Sequence, residues 1–240
     1  MIQTSTTQNQ PIQLRVALKA LKALIDNPED TRQVFVVIRA LSGNSLQRGF
    51  RRFNQTIIGR QISGRDADLI DVLKDKATLR ALSAGSLGRA YLDFVTKESI
   101  TADGLVDASE PDNQDQFIQD PGLERYAARL RDQHDLWHTL SGYGRDELGE
   151  MCLLAFTYAQ TRNRGLGVIT LVGAYKLRQS LGAGVFRAAF RAFRAGRKAQ
   201  WLPAQDWEAL LERPIEEIRS QLNIDEPIAY RALISAQATA

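Results

Sequence analysis

The sequence is short of the residues that usually announce chemistry. One cysteine, Cys152, stands among 240 residues. An intramolecular disulfide is therefore impossible, nothing points to an oxidising compartment, and a buried structural thiol is the expected role. Histidine occurs twice, as His134 and His138, so chemistry that needs three imidazoles is excluded. No run reaches eighteen apolar residues, which argues against a membrane-spanning helix; the nearest candidate, "MCLLAFTYAQTRNRGLGVITLVGAYKL", is split by "RNRG". Ahead of Arg15 there is neither a basic residue nor an apolar leader segment. That argues against a secretory signal and against an Arg-rich mitochondrial presequence, and favours a bacterial or already processed chain. With a net charge of +3 and no recognition motif, nucleic acid is not an expected partner.

Charge is also missing locally. Residues 98–124 carry no Lys or Arg but many acids and turn formers, and read as the one long irregular segment. Residues 151–205 carry no Asp or Glu, yet hold Arg162, Arg164, Lys176, Arg178, Arg187, Arg191, Arg194, Arg197 and Lys198. Within that stretch, "GVFRAAFRAFRAGRKAQW" sets Phe186, Phe190 and Phe193 on one helical stripe and Arg187, Arg191, Arg194 and Lys198 on the next. Two readings fit: an ordinary amphipathic helix with Phe in the core, or a helix lying on an anionic membrane with Phe and Trp201 at the headgroup boundary.

What the sequence does have is apolar material at helical spacing. With 44% hydrophobic residues the chain can bury a substantial core, and one domain is expected. "IQLRVALKALKALIDN", "DTRQVFVVIRALSG", "NSLQRGFRRFNQTIIGRQI", "DADLIDVLKDKATLRAL" and "SAGSLGRAYLDFVTKESI" all read as helices, as do "LERYAARLRDQHDLWHTL" and the segments after it. Period-2 alternation is nearly absent. The expected fold class is all-α, a single-domain helix bundle over 12–225, with a disordered tail at 1–11 and a C-terminal tail at 226–240.

The two histidines fall together in "RDQHDLWHTLSGYGRDELGEM". At i and i+4 on a helix they point the same way, the minimal platform for a first-row metal. Asp135 lies about 100° round from His134 and reaches that face only through a distorted first turn. Beyond the "SGYG" bend, Asp146, Glu147 and Glu150 each offer a carboxylate, and spacing alone leaves them tied. A zinc peptidase of the HExxH type needs Glu after its first His, and an HD-type phosphohydrolase needs a further upstream His; neither requirement is met.

The run "HDLWH", eleven residues, then Glu150, with "GSLGRAYLDF" before it and "AQWLPAQDWEALLERPIEEIRSQLNI" after it, resembles the ubiquinone (coenzyme Q) biosynthesis family of the fourth member of the COQ series. The resemblance covers roughly residues 80–225. It implies that His134, Asp135, His138 and Glu150 are metal ligands, zinc being usual, although two His with carboxylates suit Fe(II) or Mn(II) as well. It further implies an apolar groove between helices, lined by "MCLLAFTYAQ" and "GLGVITLVGAY", for a polyprenylated quinone precursor or another isoprenoid lipid. The same resemblance implies a peripheral inner-membrane place facing the cytoplasm, other ubiquinone-biosynthesis enzymes as partners, and a homodimer. The implied activity is oxidative decarboxylation at C1 of the prenylated benzoate ring, with Arg145 or Tyr143 near enough in sequence to bind the ring carboxylate. A non-enzymatic lipid-binding scaffold with a structural metal is the alternative.

Overall fold

Side-chain caps decide where most of these helices begin. In the computed structural model, which describes residues 11–27, 30, 32–100 and 120–238, Thr56 has an extended backbone and accepts from the Gly59 N–H at 2.8 Å. The expected helix over "NSLQRGFRRFNQTIIGRQI" is thereby cut into α3 (Ser45–Gln55) and α4 (Ile57–Ser63). Asp75 does the same to "DADLIDVLKDKATLRAL": its carboxylate accepts from Thr78 N–H and separates α5 (Leu69–Lys74) from α6 (Lys76–Ala81). Short polar side chains that satisfy the first free N–H groups of a new helix make such breaks cheap.

Before these lie α1 (Leu14–Asp26) and α2 (Arg32–Ser42). After them come α7 (Leu87–Lys97), α8 (Pro121–Asp132), α9 (His134–Ser141), α10 (Glu147–Thr161), α11 (Arg164–Leu181) and α12 (Gly184–Lys198). Two shorter helices, α13 (Trp207–Leu210) and α14 (Ile215–Leu222), and the terminal α15 (Ile228–Ala238) complete the chain. Among the described residues every regular element is helical, with a single isolated bridge between Ser86 and Pro214. The all-α expectation is borne out. Residues 1–10 of the expected tail at 1–11 and most of the expected irregular segment (101–119) lie outside the described residues.

α10 is the central helix, packed against both α11 and α12. The main core gathers Leu87, Tyr91, Leu136, Leu140, Leu148, Leu153, Phe156, Trp207 and Ile218. Cys152 is fully buried in it. A second cluster joins Ala17 and Ala20 of α1 to Val37, Ala40 and Leu41 of α2 and to Ile169 of α11. The segment from 226, expected to trail beyond the domain, carries α15, which packs on α12 and α10 with Tyr230 buried. On α12 the phenylalanines divide: Phe193 is half-buried and stacks on Tyr158, while Phe186 and Phe190 are exposed.

One ionic network braces the lower part of the bundle. Arg129, itself buried, grips Glu208 with both terminal nitrogens at 2.7 and 2.8 Å. Arg65 reaches Glu208 at 3.3 Å and pairs Asp206. A planar fork matched to a carboxylate is the geometry in which a buried pair keeps its hydrogen bonds.

Candidate metal centre

α9 is short and almost wholly internal, with Asp135 through Ser141 all buried. It stops at Gly142, whose φ of 74° is left-handed and whose N–H closes on the His138 carbonyl at 2.9 Å; a residue with a Cβ pays for that conformation. The chain then turns back within four residues. Asp146 caps α10 by accepting from Gly149 N–H at 3.0 Å. A Cβ on Gly149 would sit 2.1 Å from the Gly144 carbonyl oxygen, so the return is as tight as backbone contact permits. Tyr230 pins it from outside, accepting from Gly144 N–H at 3.0 Å and donating to the Asp146 carboxylate.

That turn delivers Glu150 to the histidines. His134 Nε2 and His138 Nε2 are 3.1 Å apart, and Glu150 Oε2 stands 3.6 Å from the first and 3.4 Å from the second. One ligand atom from each of the three lies within 4.8 Å of the others. His138 has no exposed side-chain surface. Its Nδ1 faces the Tyr143 carbonyl at 3.0 Å, and since a carbonyl only accepts, Nδ1 carries the hydrogen. Nε2 is then the ring atom aimed into the cluster. A backbone carbonyl behind a ligating imidazole is the usual support of a metal site, fixing both tautomer and ring plane. Phe94 stacks on the same ring, with centroids 5.6 Å apart. The donor set of two imidazole nitrogens and one carboxylate fits a divalent first-row metal.

Burial acts against the charge on Glu150, but hydrogen bonds and charge from His134 and His138 outweigh it and hold the carboxyl well below its usual range. Arg145 Nε pairs its other oxygen at 3.3 Å. Asp135 is placed differently. Burial pushes its carboxyl up, opposed by the charges of His134, His138 and Arg145, and it stands beside the cluster without joining the group of three. Among the three acids that spacing left tied, only Glu150 enters the cluster: Asp146 is spent on the cap and Glu147 is exposed on α10.

The cluster opens on a cavity of about 870 Å³. His134, Asp135, Arg145 and Glu150 share its lining with Val34, Phe35 and Ile38 of α2, Leu46 of α3, and Leu154 and Leu166. α10 and α11 thus contribute, as expected of a groove there. The larger apolar share from α2 and α3 was not foreseen, although the apolar stripe of "DTRQVFVVIRALSG" was its signal. Trp137 also lines the cavity, and its indole N–H is buried with no partner among the described residues. Of the two side chains considered for a carboxylate, Arg145 lines this cavity; Tyr143 is turned into the core against Tyr230. The missed supports, Phe94 and the Tyr143 carbonyl, carry no motif that sequence spacing could reveal.

A model of the family described as coenzyme Q (ubiquinone) biosynthesis protein Coq4 matches residues 2–228. The mitochondrial ubiquinone biosynthesis protein COQ4 homolog of Aedes aegypti is 32% identical over 151 residues, covering 61% of this chain and 52% of the relative. The mitochondrial COQ4 of Yarrowia lipolytica is 28% identical over 177 residues, covering 73% and 64%. The chain therefore matches about half to two thirds of the length of these relatives. The crystal structure of a Nostoc punctiforme protein assigned to ubiquinone biosynthesis covers 90% of this chain and 100% of its own, with a TM-score of 0.65 at 18% identity; at that identity the likeness speaks for the fold alone.

Proposed function

The chain belongs to the coenzyme Q (ubiquinone) biosynthesis family Coq4, and from that premise we propose that it binds a polyprenylated quinone precursor and acts in oxidative decarboxylation at C1 of the prenylated benzoate ring. The observation that carries this reading is a shared wall. The imidazole–carboxylate cluster and the apolar side chains of α2, α3, α10 and α11 line one cavity, so a polar ring and an apolar tail find their matching surfaces in one place.

In this reading His134, His138 and Glu150 hold a divalent metal, with Asp135 as the fourth ligand that the resemblance assigns. Zinc would supply Lewis acidity there, and Fe(II) or Mn(II), which suit the same donors, redox chemistry. The chain's own groups do the positioning. The Tyr143 carbonyl holds the His138 ring in its tautomer, and Phe94 holds its plane. Arg145 offers its terminal guanidinium nitrogens, which have no partner among the described residues, to the ring carboxylate, a planar fork for a planar acid. Trp137 offers an otherwise idle N–H to a ring oxygen. The ring carboxyl leaves as CO2 and a hydroxyl takes its place, with water supplying the oxygen and dioxygen from solution taking the two electrons and leaving as hydrogen peroxide.

Peripheral association with a membrane is part of the proposal, since the tail of such a precursor partitions into lipid. Among the described residues no helix is long and apolar enough to cross a membrane. The inner-membrane, cytoplasmic-side placement in a bacterium, the homodimer and the partner enzymes of the same pathway belong to the proposal as well; the relatives cited are mitochondrial by name.

The scaffold alternative has one observation in its favour: the cluster stitches α9 to α10 across a tight bend, a place where a metal would brace structure. Glu150→Gln separates the two in cells lacking their own family member. The decarboxylase reading expects quinone to fall, metal content of the purified protein to fall with it, and precursor still bearing its C1 carboxylate to accumulate. Quinone synthesis that survives while metal content falls would leave the scaffold reading standing and remove the catalytic one.

A further inference from the structure

α1 carries more large apolar surface on its outer face than a helix that meets only water. Its small residues, Ala17 and Ala20, are the ones buried against α2, whereas Leu14, Leu18 and Ile25 are 60%, 58% and 66% exposed. At 100° per residue these three fall within roughly 40° of one another, a single stripe along the outer face. Arg15, Lys19 and Lys22, all exposed, form a second stripe about 90° round from it. No acidic partner of these three cations is seen among the described residues, and Asp26 is the one acid of the helix. An amphipathic helix normally puts its large apolar side chains in the core and its charges opposite them. Here Leu21 and Leu24 pack inward beside the alanines, but Leu14, Leu18 and Ile25 make a second apolar stripe that faces out, bordered by cations.

We propose that α1 is the membrane-docking element: it lies in the plane of an anionic bilayer, with Leu14, Leu18 and Ile25 below the headgroups and Arg15, Lys19 and Lys22 on lipid phosphates. Lys and Arg stems reach along an apolar surface while their heads stay at the phosphate level, which is the arrangement an interfacial helix needs. Charge selects the lipid surface over a second copy of the chain. A protein interface is depleted of Lys at its centre. The stripe also offers only on the order of 100 Å² per side chain, less than half of the ~800 Å² per partner that a stable dimer buries.

The other candidate helix is α12, with Phe186 and Phe190 exposed. Of its cations Lys198 pairs Asp225, and the exposed Arg187, Arg191 and Arg194 line a groove beside Pro227, Ile228 and Tyr230 of the terminal segment. α1 has no such neighbour on its outer face among the described residues. Continuity with the cavity also favours it. α1 packs on α2, and Val34, Phe35 and Ile38 of α2 wall the cavity described above. The inference deepens the membrane part of the proposed function and rests on it.

The test is flotation of the full chain with phosphatidylcholine vesicles, with and without phosphatidylglycerol, and with no precursor present. The wild type is expected to float with the anionic vesicles. Leu14→Glu/Leu18→Glu is expected to lose vesicle partition roughly tenfold or more, and Lys19→Glu/Lys22→Glu to lose it on anionic vesicles by a similar factor. Both pairs are exposed, so unchanged helicity and thermal midpoint verify the fold. Leu18→Cys carrying an environment-sensitive dye gives a second reading: its emission shifts to the blue on anionic vesicles, Cys152 being too buried to take label. A wild type that stays unbound overturns the membrane reading itself. Variants of α1 that float like the wild type, or loss of flotation in Phe186→Ser/Phe190→Ser instead, overturn the assignment to α1 alone. A wild-type dimer that the α1 variants dissociate in the absence of lipid assigns the stripe to a second copy and overturns it too.

Discussion

Replacing Gly149 by alanine tests whether the tight return between α9 and α10 is what makes the cluster. The added methyl carbon would meet the Gly144 carbonyl oxygen at 2.1 Å and its carbonyl carbon at 2.7 Å. Both neighbours are backbone, so no side chain can swing aside. Reaching ordinary contact requires the start of α10 to withdraw by roughly 1 Å, at about 1–3 kcal/mol of overpacking. It also loosens the Asp146 cap, which is worth about 1 kcal/mol. Metal–ligand distances hold to about 0.2 Å, and Glu150 is the next residue. The variant is therefore expected to lose most of its metal while remaining folded, with a thermal midpoint about 4–16 °C lower. Metal content by elemental mass spectrometry and the midpoint by calorimetry are read together. Gly64→Ala is the control: its added carbon finds nothing nearer than 3.6 Å, and a shift within about 0.5 kcal/mol is expected. A Gly149→Ala protein with the wild-type complement of metal and an unmoved midpoint would refute the reasoning.

Other perturbations read other parts of the structure. Glu208→Ala leaves the Arg129 guanidinium, 7% exposed, without its carboxylate and should cost about 3–5 kcal/mol in urea unfolding, whereas Arg129→Met/Glu208→Leu should cost far less; equal losses would contradict the pairing. Burial, with the Asp146 charge behind it, pushes the Cys152 thiol up to about 12. A thiol reagent at about pH 8 should therefore modify it only after unfolding, and stoichiometric reaction of the native chain would be the contrary result. Hydrogen bonding to Arg65 holds the Asp206 carboxyl below its ordinary 3.8 against the opposing effect of burial. A depressed carboxyl stabilises the fold fully above its unfolded value and loses that contribution as pH falls through the folded one. Arg65→Gln should accordingly flatten the stability profile below about pH 4, and a profile identical to the wild type would exclude the contribution.

How much of this was legible in the sequence depends on how local each cause is. The helical platform was: His134 and His138 are four residues apart, and helix geometry alone brings their rings together. So was the fold class, because apolar spacing and the scarcity of alternation are properties of short windows. The helix breaks at Thr56 and Asp75 were written in the sequence as cap residues, but cap chemistry inside a long apolar pattern competes with periodicity, and periodicity hid it. The choice of carboxylate was of another kind. Asp146, Glu147 and Glu150 lie within five residues of one another, and which one meets the histidines depends on how sharply the chain returns after Gly142. That sharpness is set by contacts no local window contains. Tyr230, more than eighty residues on, accepts from Gly144 and donates to Asp146, in a segment whose sequence read as a tail. By engaging Asp146 in the cap and the tyrosine contact, the fold withdraws it from the competition, and the first turn of α10 then presents Glu150 inward and Glu147 to solvent. The family motif encodes the outcome as a spacing of eleven residues; the physical reason for that spacing lies in a bend closed from the far end of the chain.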